Sequence, residues 1–350
     1  MNVNVLSRTT IHESILDEAR AHCNKVLDAK WDSLWIKDSI SKKDIDAASQ
    51  LFIHGKEVSE KSDVLLILPT KQSRHSIESV VSMAKSQISD IEVYLCPDSL
   101  DPKDQEELIN LLEGKAVTLF VVALGEEDLV FRANYAIYKK LAFQIANKQS
   151  EERERIYVAL DESSETVAQD ASENNYPAMR FPEGTDPNYL ANSIGVTFPL
   201  LAMGIDLEEY LKGFYDTVAA PDWDRDAGLF GYFLSKAAPK EIGLYAYQRE
   251  VKPLLNWLKA IIDSKTNINS DGLNLDILIG SEKSPLDIMT PSFQGCDPDG
   301  SLSALNRRNA KDMFFQKEEP GFNLEIEDFS SYSIGAIMAF IQISALLMTE

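Results

Sequence analysis

Cysteine, histidine and positive charge are all scarce in this chain, and each shortage excludes a class of chemistry. Cysteine occurs only as Cys23, Cys96 and Cys296. The number is odd and no pair has C-x-x-C spacing. Neither a disulfide framework nor a cysteine metal site is expected, and a reduced cytoplasmic compartment is the simplest reading. The histidines are His12, His22, His54 and His75, all in the first quarter of the chain. Basic residues number 34 against 56 acidic ones, a formal net charge of -22. Such a surface repels phosphate backbones and anionic lipid, so nucleic acid and membranes are not expected partners. Any phosphate site must be local. Long apolar runs are also missing. The longest, Ile334 to Met348, carries Gln342 and Ser344 and is short for a membrane span, so a buried helix is expected. The N-terminus lacks a charged-then-apolar signal pattern. No nucleotide-binding P-loop, nucleophile elbow or H-E-x-x-H pattern occurs. Asp297, Asp299 and Ser301 alternate as in a calcium loop, but the glutamate that closes such a loop is missing and a polar turn is the simpler reading. No metal or cofactor is expected.

What is present is a globular composition, 44% hydrophobic and 26% charged over 350 residues, enough for two domains. Thr10 to Ala29 has the pattern of an amphipathic helix, with Ile11, Ile15, Ala19, Cys23 and Leu27 on one stripe. The stretch to Glu60 is polar and partly helical in pattern.

Strands then alternate with helices. Val64–Leu68, Ile91–Leu95, Val117–Leu124 and Ile156–Leu160 are short apolar runs of strand type. Asp101, Pro102 and Gly114 punctuate one intervening helix. Leu129, Ala133, Ile137, Leu141 and Ile145 recur every four residues along the next. A turn-rich segment at 180–188 precedes an apolar helix over roughly Tyr189 to Met203. Asp206 and Glu209 form a capping box, and 221–228 is a candidate boundary loop. A second alternation places strands at Ile242–Tyr247, Leu275–Ile279 and Asn323–Ile326, a helix through Trp257 to Asp263, and a polar loop at 290–303. Tyr245, Tyr247 and Trp257 read as core or interface aromatics. Strands apolar on both faces imply parallel sheets covered on both sides.

Three segments carry a family resemblance. RFPEGTDPNYLANSIGVTFPLLAMGID at 180–206 is similar to the S-x-V-G-L-L-P-x-A-x-A-G-I-D helix of glucose-6-phosphate isomerases, with Pro199, Gly204, Ile205 and Asp206 in place. Residues 111–141 resemble the strand, phosphate loop and helix of that family's first sugar-isomerase domain, and 326–347 its D-x-x-S-L-G-x-L helix. The resemblance spans roughly 60–350. It implies an α/β fold of two doubly wound parallel-sheet (sugar-isomerase, flavodoxin-like) domains, each a three-layer α/β/α arrangement with a five-stranded sheet. The implied division is a helical segment 1–60, a first domain 61–215 and a second 216–350. A homodimer is implied too.

Family resemblance does not carry activity, and the chemical positions depart from the pattern one by one. Where the family has a G-I-G-G-S turn, this chain has Pro69, Thr70, Lys71, Gln72 and Ser73. Only Ser73 survives. Lys71 reads either as a phosphate-binding point charge or as an exposed loop lysine. The family's S-K-S-G-T-T-T-E phosphate loop becomes Val122 to Leu129, where Gly125 remains but Glu126, Glu127 and Asp128 replace hydroxyls. Carboxylates near a helix start cap it themselves and repel a phosphate. Asn188 stands at the position of the enediolate-stabilising arginine. Asp263 stands where the family has its general-base glutamate, and reads equally as a solvated aspartate at a helix end. Gly300, next to Ser301, falls at the ring-opening histidine. The family's C-terminal catalytic lysine has no counterpart in these residues.

Three readings stay open. The fold persists without isomerase turnover and binds a sugar or sugar phosphate in an inter-domain cleft. Alternatively, the chain is an active, diverged sugar-phosphate isomerase using Asp263 with Lys71 or Lys265. In the third reading it is an interaction protein with a vestigial cleft. The residues proposed to touch a ligand are Thr70, Lys71, Ser73, Gly125, Glu126, Asn188 and Ser301.

Overall fold

Unbroken apolar strands need cover on both faces, and the computed structural model of this chain supplies it. The structure describes residues 3–8, 13–30, 45–87, 89, 91–145, 153–219, 223–236, 241–265, 274–283 and 302–348. Ser301 and the calcium-like Asp297 and Asp299 lie outside these. The elements run β1 (Val3–Ser7), α1 (Glu13–Lys30), α2 (Ile45–Lys61), β2 (Val64–Pro69), α3 (Lys71–Ala84), β3 (Glu92–Leu95), α4 (Pro102–Leu112), β4 (Val117–Ala123) and α5 (Leu129–Ile145). They continue with β5 (Ile156–Leu160), α6 (Glu165–Asn174), β6 (Ala178–Arg180), α7 (Ile194–Ala202), α8 (Leu207–Ala219) and α9 (Trp223–Lys236). The last are β7 (Glu241–Ala246), α10 (Lys252–Lys265), β8 (Asn274–Ser281), α11 (Leu302–Phe315), β9 (Gly321–Ile326) and α12 (Ser331–Leu347). The chain divides into two compact units: a first of 35–81 and 88–207, and a second of 1–34, 82–87 and 208–350.

The first unit holds a five-stranded, wholly parallel sheet in the order β3-β2-β4-β5-β6. Every residue of β2, β4 and β5 is buried, as their apolar runs require. One face packs Leu66, Leu119, Val121 and Val158 against Leu108, Tyr138 and Val167 from α4, α5 and α6. On the other, Phe198 of α7 stacks on Phe120 and Tyr157 at 4.5 and 5.3 Å. Asp101 caps α4 as expected, accepting the Lys103 N–H at 2.9 Å.

Two expectations are corrected here. The four-residue repeat on α5 is not its buried stripe: Leu129 is 68% exposed and Ile137 38%, and Leu141 is only partly buried against the core. The buried stripe is Phe131, Asn134, Tyr135, Tyr138 and Ala142, where aromatics reach the sheet. The apolar helix begins at Ile194 rather than Tyr189, because 189–192 form turns that lead into the Ser193 N-cap.

In the second unit the sheet has the order β1-β9-β8-β7. Strands β7, β8 and β9 run parallel, while β1 lies antiparallel along β9. The expected second parallel sheet of five strands is therefore, among the described residues, a sheet of four with one antiparallel edge. Helix α12 is buried almost end to end, as the 334–348 run predicts, and Gln342 is itself buried. Its neighbours come close. A Cβ on Gly335 would overlap the Tyr210 carbonyl of α8, and one on Gly213 the Tyr332 carbonyl. The expected boundary loop at 221–228 is mostly helix α9, because Ala227, Phe230 and Leu234 bury an apolar stripe that outweighs the charged start. Residue 302, assigned to a polar loop, begins α11.

Candidate functional site

Strand β2 pairs with β3 on one side and β4 on the other, while the chain runs from β2 to β3 and back across to β4. The carboxyl ends of β2 and β4 therefore flank a topological switch point, the usual ligand crevice of such sheets. The turn after β2 and the loop after β4 meet there.

Thr70 and Ser73 are fully buried. The Thr70 hydroxyl donates to the Leu124 carbonyl at 2.6 Å and pairs with the Ser73 hydroxyl at 2.9 Å. The Thr70 hydroxyl thus ties the β2 turn to the β4 loop, while the Ser73 hydroxyl bonds back within the turn. Lys71 begins α3 and is exposed. Gly125 has φ +86°, and a Cβ there would press on the Gln72 side-chain oxygen at 3.1 Å, so this loop conformation favours glycine.

The acidic residues of the loop divide their tasks. Glu126 is exposed. The Glu127 carboxylate accepts the backbone N–H of Thr166 at 3.1 Å and of Val167 at 3.2 Å, at the start of α6. Asp128 accepts the Phe131 N–H at 2.8 Å, at the start of α5. Helix starts are where backbone N–H groups seek anions. Here the chain's own carboxylates fill that role at two helices.

Asp161, at the end of β5, completes the loop. Its carboxylate accepts the Gly125 N–H at 3.1 Å, and hydroxyls of Ser163 and Ser164 at 2.8 Å. Burial alone would raise the Asp161 carboxyl. Hydrogen bonds from Ser164, Ser163 and the Gly125 N–H outweigh it and hold the group below its ordinary range.

Beside these loops opens a pocket of about 120 Å³, lined by Lys71, Arg74, Asp98, Asp128, Phe131 and Asn134 among others. Arg74 donates to the Cys96 carbonyl at 2.7 Å. A buried amide relay stiffens the wall: Tyr138 donates to Gln105 at 2.6 Å, Gln105 to Asn134 at 2.9 Å, and Asn134 to the Pro97 carbonyl at 2.8 Å. Burial pushes the Cys96 thiol up, away from nucleophilic thiolate. Burial lowers His75 first, and the nearby Arg74 and Lys71 charges lower it further against Glu78 and Asp98. Two cations and two carboxylates therefore face one small space.

The remaining sequence-selected residues lie elsewhere. Both the backbone N–H and the side-chain amide of Asn188 donate to Asp186, at 2.8 and 2.9 Å, forming a local turn. Asp263 lies on α10, its side chain 52% exposed and paired with Lys259 at 2.6 Å. Lys265 ends that helix. Thr70, Lys71, Ser73, Gly125 and Glu126 are brought together at the switch point; Asn188 and Asp263 keep local partners. Sequence reasoning passed over Asp161, Arg74, Asp98 and Asn134. Only Asp161 had a local signal, an acid followed closely by two serines after an apolar strand. Among the described residues no group of three His, Cys, Asp or Glu is placed to hold a metal, and no helix is long and apolar enough to cross a membrane.

No family model matches the chain. Glucose-6-phosphate isomerase of Clostridioides difficile (strain 630) is 25% identical over 173 residues, 46% of this chain and 37% of that protein. The same enzyme of Alkaliphilus metalliredigens (strain QYMF) is 25% identical over 170 residues, 45% and 37% respectively. The match spans little more than a third of the length of these curated relatives. Among solved structures, a hypothetical protein of Thermus thermophilus superposes with a TM-score of 0.77 at 16% identity, covering 96% of this chain and 89% of that one. A glucose-6-phosphate isomerase from Chlamydia trachomatis D/UW-3/Cx superposes with a TM-score of 0.78 at 12% identity, covering 99% and 83%. At those identities the likeness is one of fold. Together the matches place this chain as a distant relative of glucose-6-phosphate isomerases with their α/β fold.

Proposed function

We propose that this chain is a glucose-6-phosphate-isomerase-like protein with little or no aldose–ketose turnover, which takes a sugar or sugar phosphate at the strand ends of its first sheet. The observation that carries the reading is the double cap made from the loop where relatives' S-K-S-G-T-T motif would stand: Asp128 occupies the Phe131 N–H at the start of α5, and Glu127 reaches across to the Thr166 and Val167 N–H groups at the start of α6. A phosphate dianion entering there meets carboxylates rather than hydroxyls. Each costs about 1 kcal/mol per phosphate charge at 4 Å even in water. Lys71 and Arg74 supply the cationic side of the pocket, and Asp98 the acceptor for a sugar hydroxyl. Two further observations support loss of turnover. The residue at the arginine position, Asn188, is neutral and hydrogen-bonded locally, and Asp263 is paired on a helix surface.

The same reading includes two sugar-isomerase domains, 61–215 and 216–350, in a cytoplasmic homodimer. Residues 1–60 are not a separate helical segment, since β1 is an edge strand of the second sheet and residues 1–34 belong to the second unit. An interaction protein with no ligand is the second reading, favoured by the self-capped loop. A coupled assay on fructose 6-phosphate should give background rates, and thermal-shift titration with hexoses and hexose phosphates should show a saturable rise in Tm. Turnover abolished by Asp263→Asn would overturn the first claim. A flat response across the ligand panel would favour the interaction protein.

A further inference from the structure

The second unit holds a larger and more apolar pocket, independent of the isomerase reading. It lies between β7 and α11, has a volume of about 210 Å³, and is lined by Tyr245, Leu278, Ala310, Met313, Phe314 and Lys317 among others. Tyr245 and Leu278 are register partners on adjacent strands and so share one face of the sheet. A cavity of roughly 150 Å³ lined by apolar side chains accepts benzene, so this pocket has room for one ring with a short substituent. Its mouth leaves large side chains open: Met313 is 63% exposed and Tyr245 42%.

The polar groups at one side of this pocket are unbalanced. Lys317 donates to Asp276 Oδ2 at 2.9 Å and to the Tyr245 oxygen at 3.1 Å. Arg8 donates to the same Asp276 oxygen at 3.0 Å. Its side chain is only 3% exposed, and its Nε–H is buried with no acceptor. Its guanidinium stacks on Phe314, a pocket wall, at 4.3 Å. Two cations thus share one carboxylate oxygen, a local positive excess in a chain of net charge -22. Glu318 and Glu319 follow Lys317 but are exposed, and among the described residues they pair with neither cation. An ammonium has three N–H groups, and two are placed. The Tyr245 oxygen accepts from Lys317, which leaves its own hydrogen to donate. At the open side of an apolar cavity, Lys317, its side chain 43% exposed and its ammonium 4.7 Å from the Tyr245 ring centroid, and the hydroxyl of Tyr245, a residue 42% exposed, can each still donate to a ligand. Such a site matches a ligand with an apolar body and a single anionic acceptor.

We infer that this pocket binds a small monocarboxylate with one aromatic ring or a branched aliphatic body, its carboxylate on Lys317 and Tyr245 and its body against Leu278, Met313 and Phe314.

Phenylacetate is the probe, titrated into the full chain labelled with 13C at its methionine methyls, with the Met313 signal identified by Met313→Leu. The Met313 methyl should shift saturably. Benzyl alcohol, with the ring but no charge, should bind about tenfold more weakly, and acetate should not shift the signal. Tyr245→Phe and Lys317→Met should each weaken phenylacetate about tenfold, the scale of a hydrogen bond to a charged group. Should Lys317→Met fail to fold, Tyr245→Phe keeps the ring and carries the test. Equal affinity for phenylacetate and benzyl alcohol, no shift of Met313 at saturating phenylacetate, or full affinity in the variants would each overturn the assignment.

Discussion

The Glu127 carboxylate accepts the backbone N–H of Val167 from 40 positions earlier in the chain. A side chain in the loop after β4 thereby caps the helix after β5, in the manner of an N-terminal cap. Glu127→Ala should lower unfolding stability by about 1 kcal/mol, read as a reduced urea midpoint. The freed amides should not create phosphate affinity while Asp128 remains.

Asp263 pairs with Lys259 one helical turn away, in the open. Exposed pairs of this kind contribute at most about 0.5 kcal/mol. Asp263→Asn should therefore leave both stability and the rate on fructose 6-phosphate unchanged, as measured by thermal melts and the coupled assay.

Gly125→Ala tests the loop itself. At φ +86° any side chain is strained, and the Gln72 oxygen must also move. The cost should be about 1–2 kcal/mol, and the cross-linking bond from Thr70 to Leu124 should weaken with it, seen as faster hydrogen exchange in the β4 loop.

Glu325 supplies a pH test in the second unit. Its buried carboxylate accepts from Arg307, Lys311 at 2.8 Å and Tyr247 at 2.7 Å. Burial would raise it, but these partners together bring it from the ordinary 4.5 down to about 2. A carboxyl depressed in the fold stabilises at pH above its unfolded value. That contribution is complete above pH 4.5 and is lost as pH falls from there toward about 2. Glu325→Gln should lower stability at neutral pH and flatten the acid limb of the stability curve within that window.

Close helix contact gives the last test. Gly335 and Gly213 let α12 and α8 approach until backbone meets backbone. Gly335→Ala should cost about 1–3 kcal/mol or more through overpacking, with Gly335→Ala and Gly213→Ala together less than additive because they open one interface.

The central strands of the first sheet were legible because they are buried on both faces, whereas the short edge strand β6, exposed at two of its three residues, has no such run and was missed. Runs such as Val64–Leu68 and Ile156–Leu160 have no amphipathic alternative, and the structure moves their ends by at most a residue or two. Helix phase was less legible. On α5 two four-residue stripes compete, Leu129/Ile137 and Phe131/Tyr135, and only the sheet decides that the aromatic one faces in. Helix α9 was hidden by its acidic start for the same reason: its apolar stripe matters only when α1 and α12 are there to cover it. The antiparallel β1 begins the chain as a polar–apolar alternation too short to announce its partner β9 at the far end.

Residue order alone determined the fold class, the buried C-terminal helix and the chemical departures from relatives, because each is written in local hydrophobic period or in the identity of single side chains. Tertiary structure alone decided what those side chains do. Whether Glu127 repels a ligand or caps a helix, whether Thr70 offers a hydroxyl or spends it on Leu124, and that Arg8 and Lys317 share the Asp276 oxygen all depend on hydrogen bonds between residues distant in the chain, whose geometry exists only once the sheets have formed.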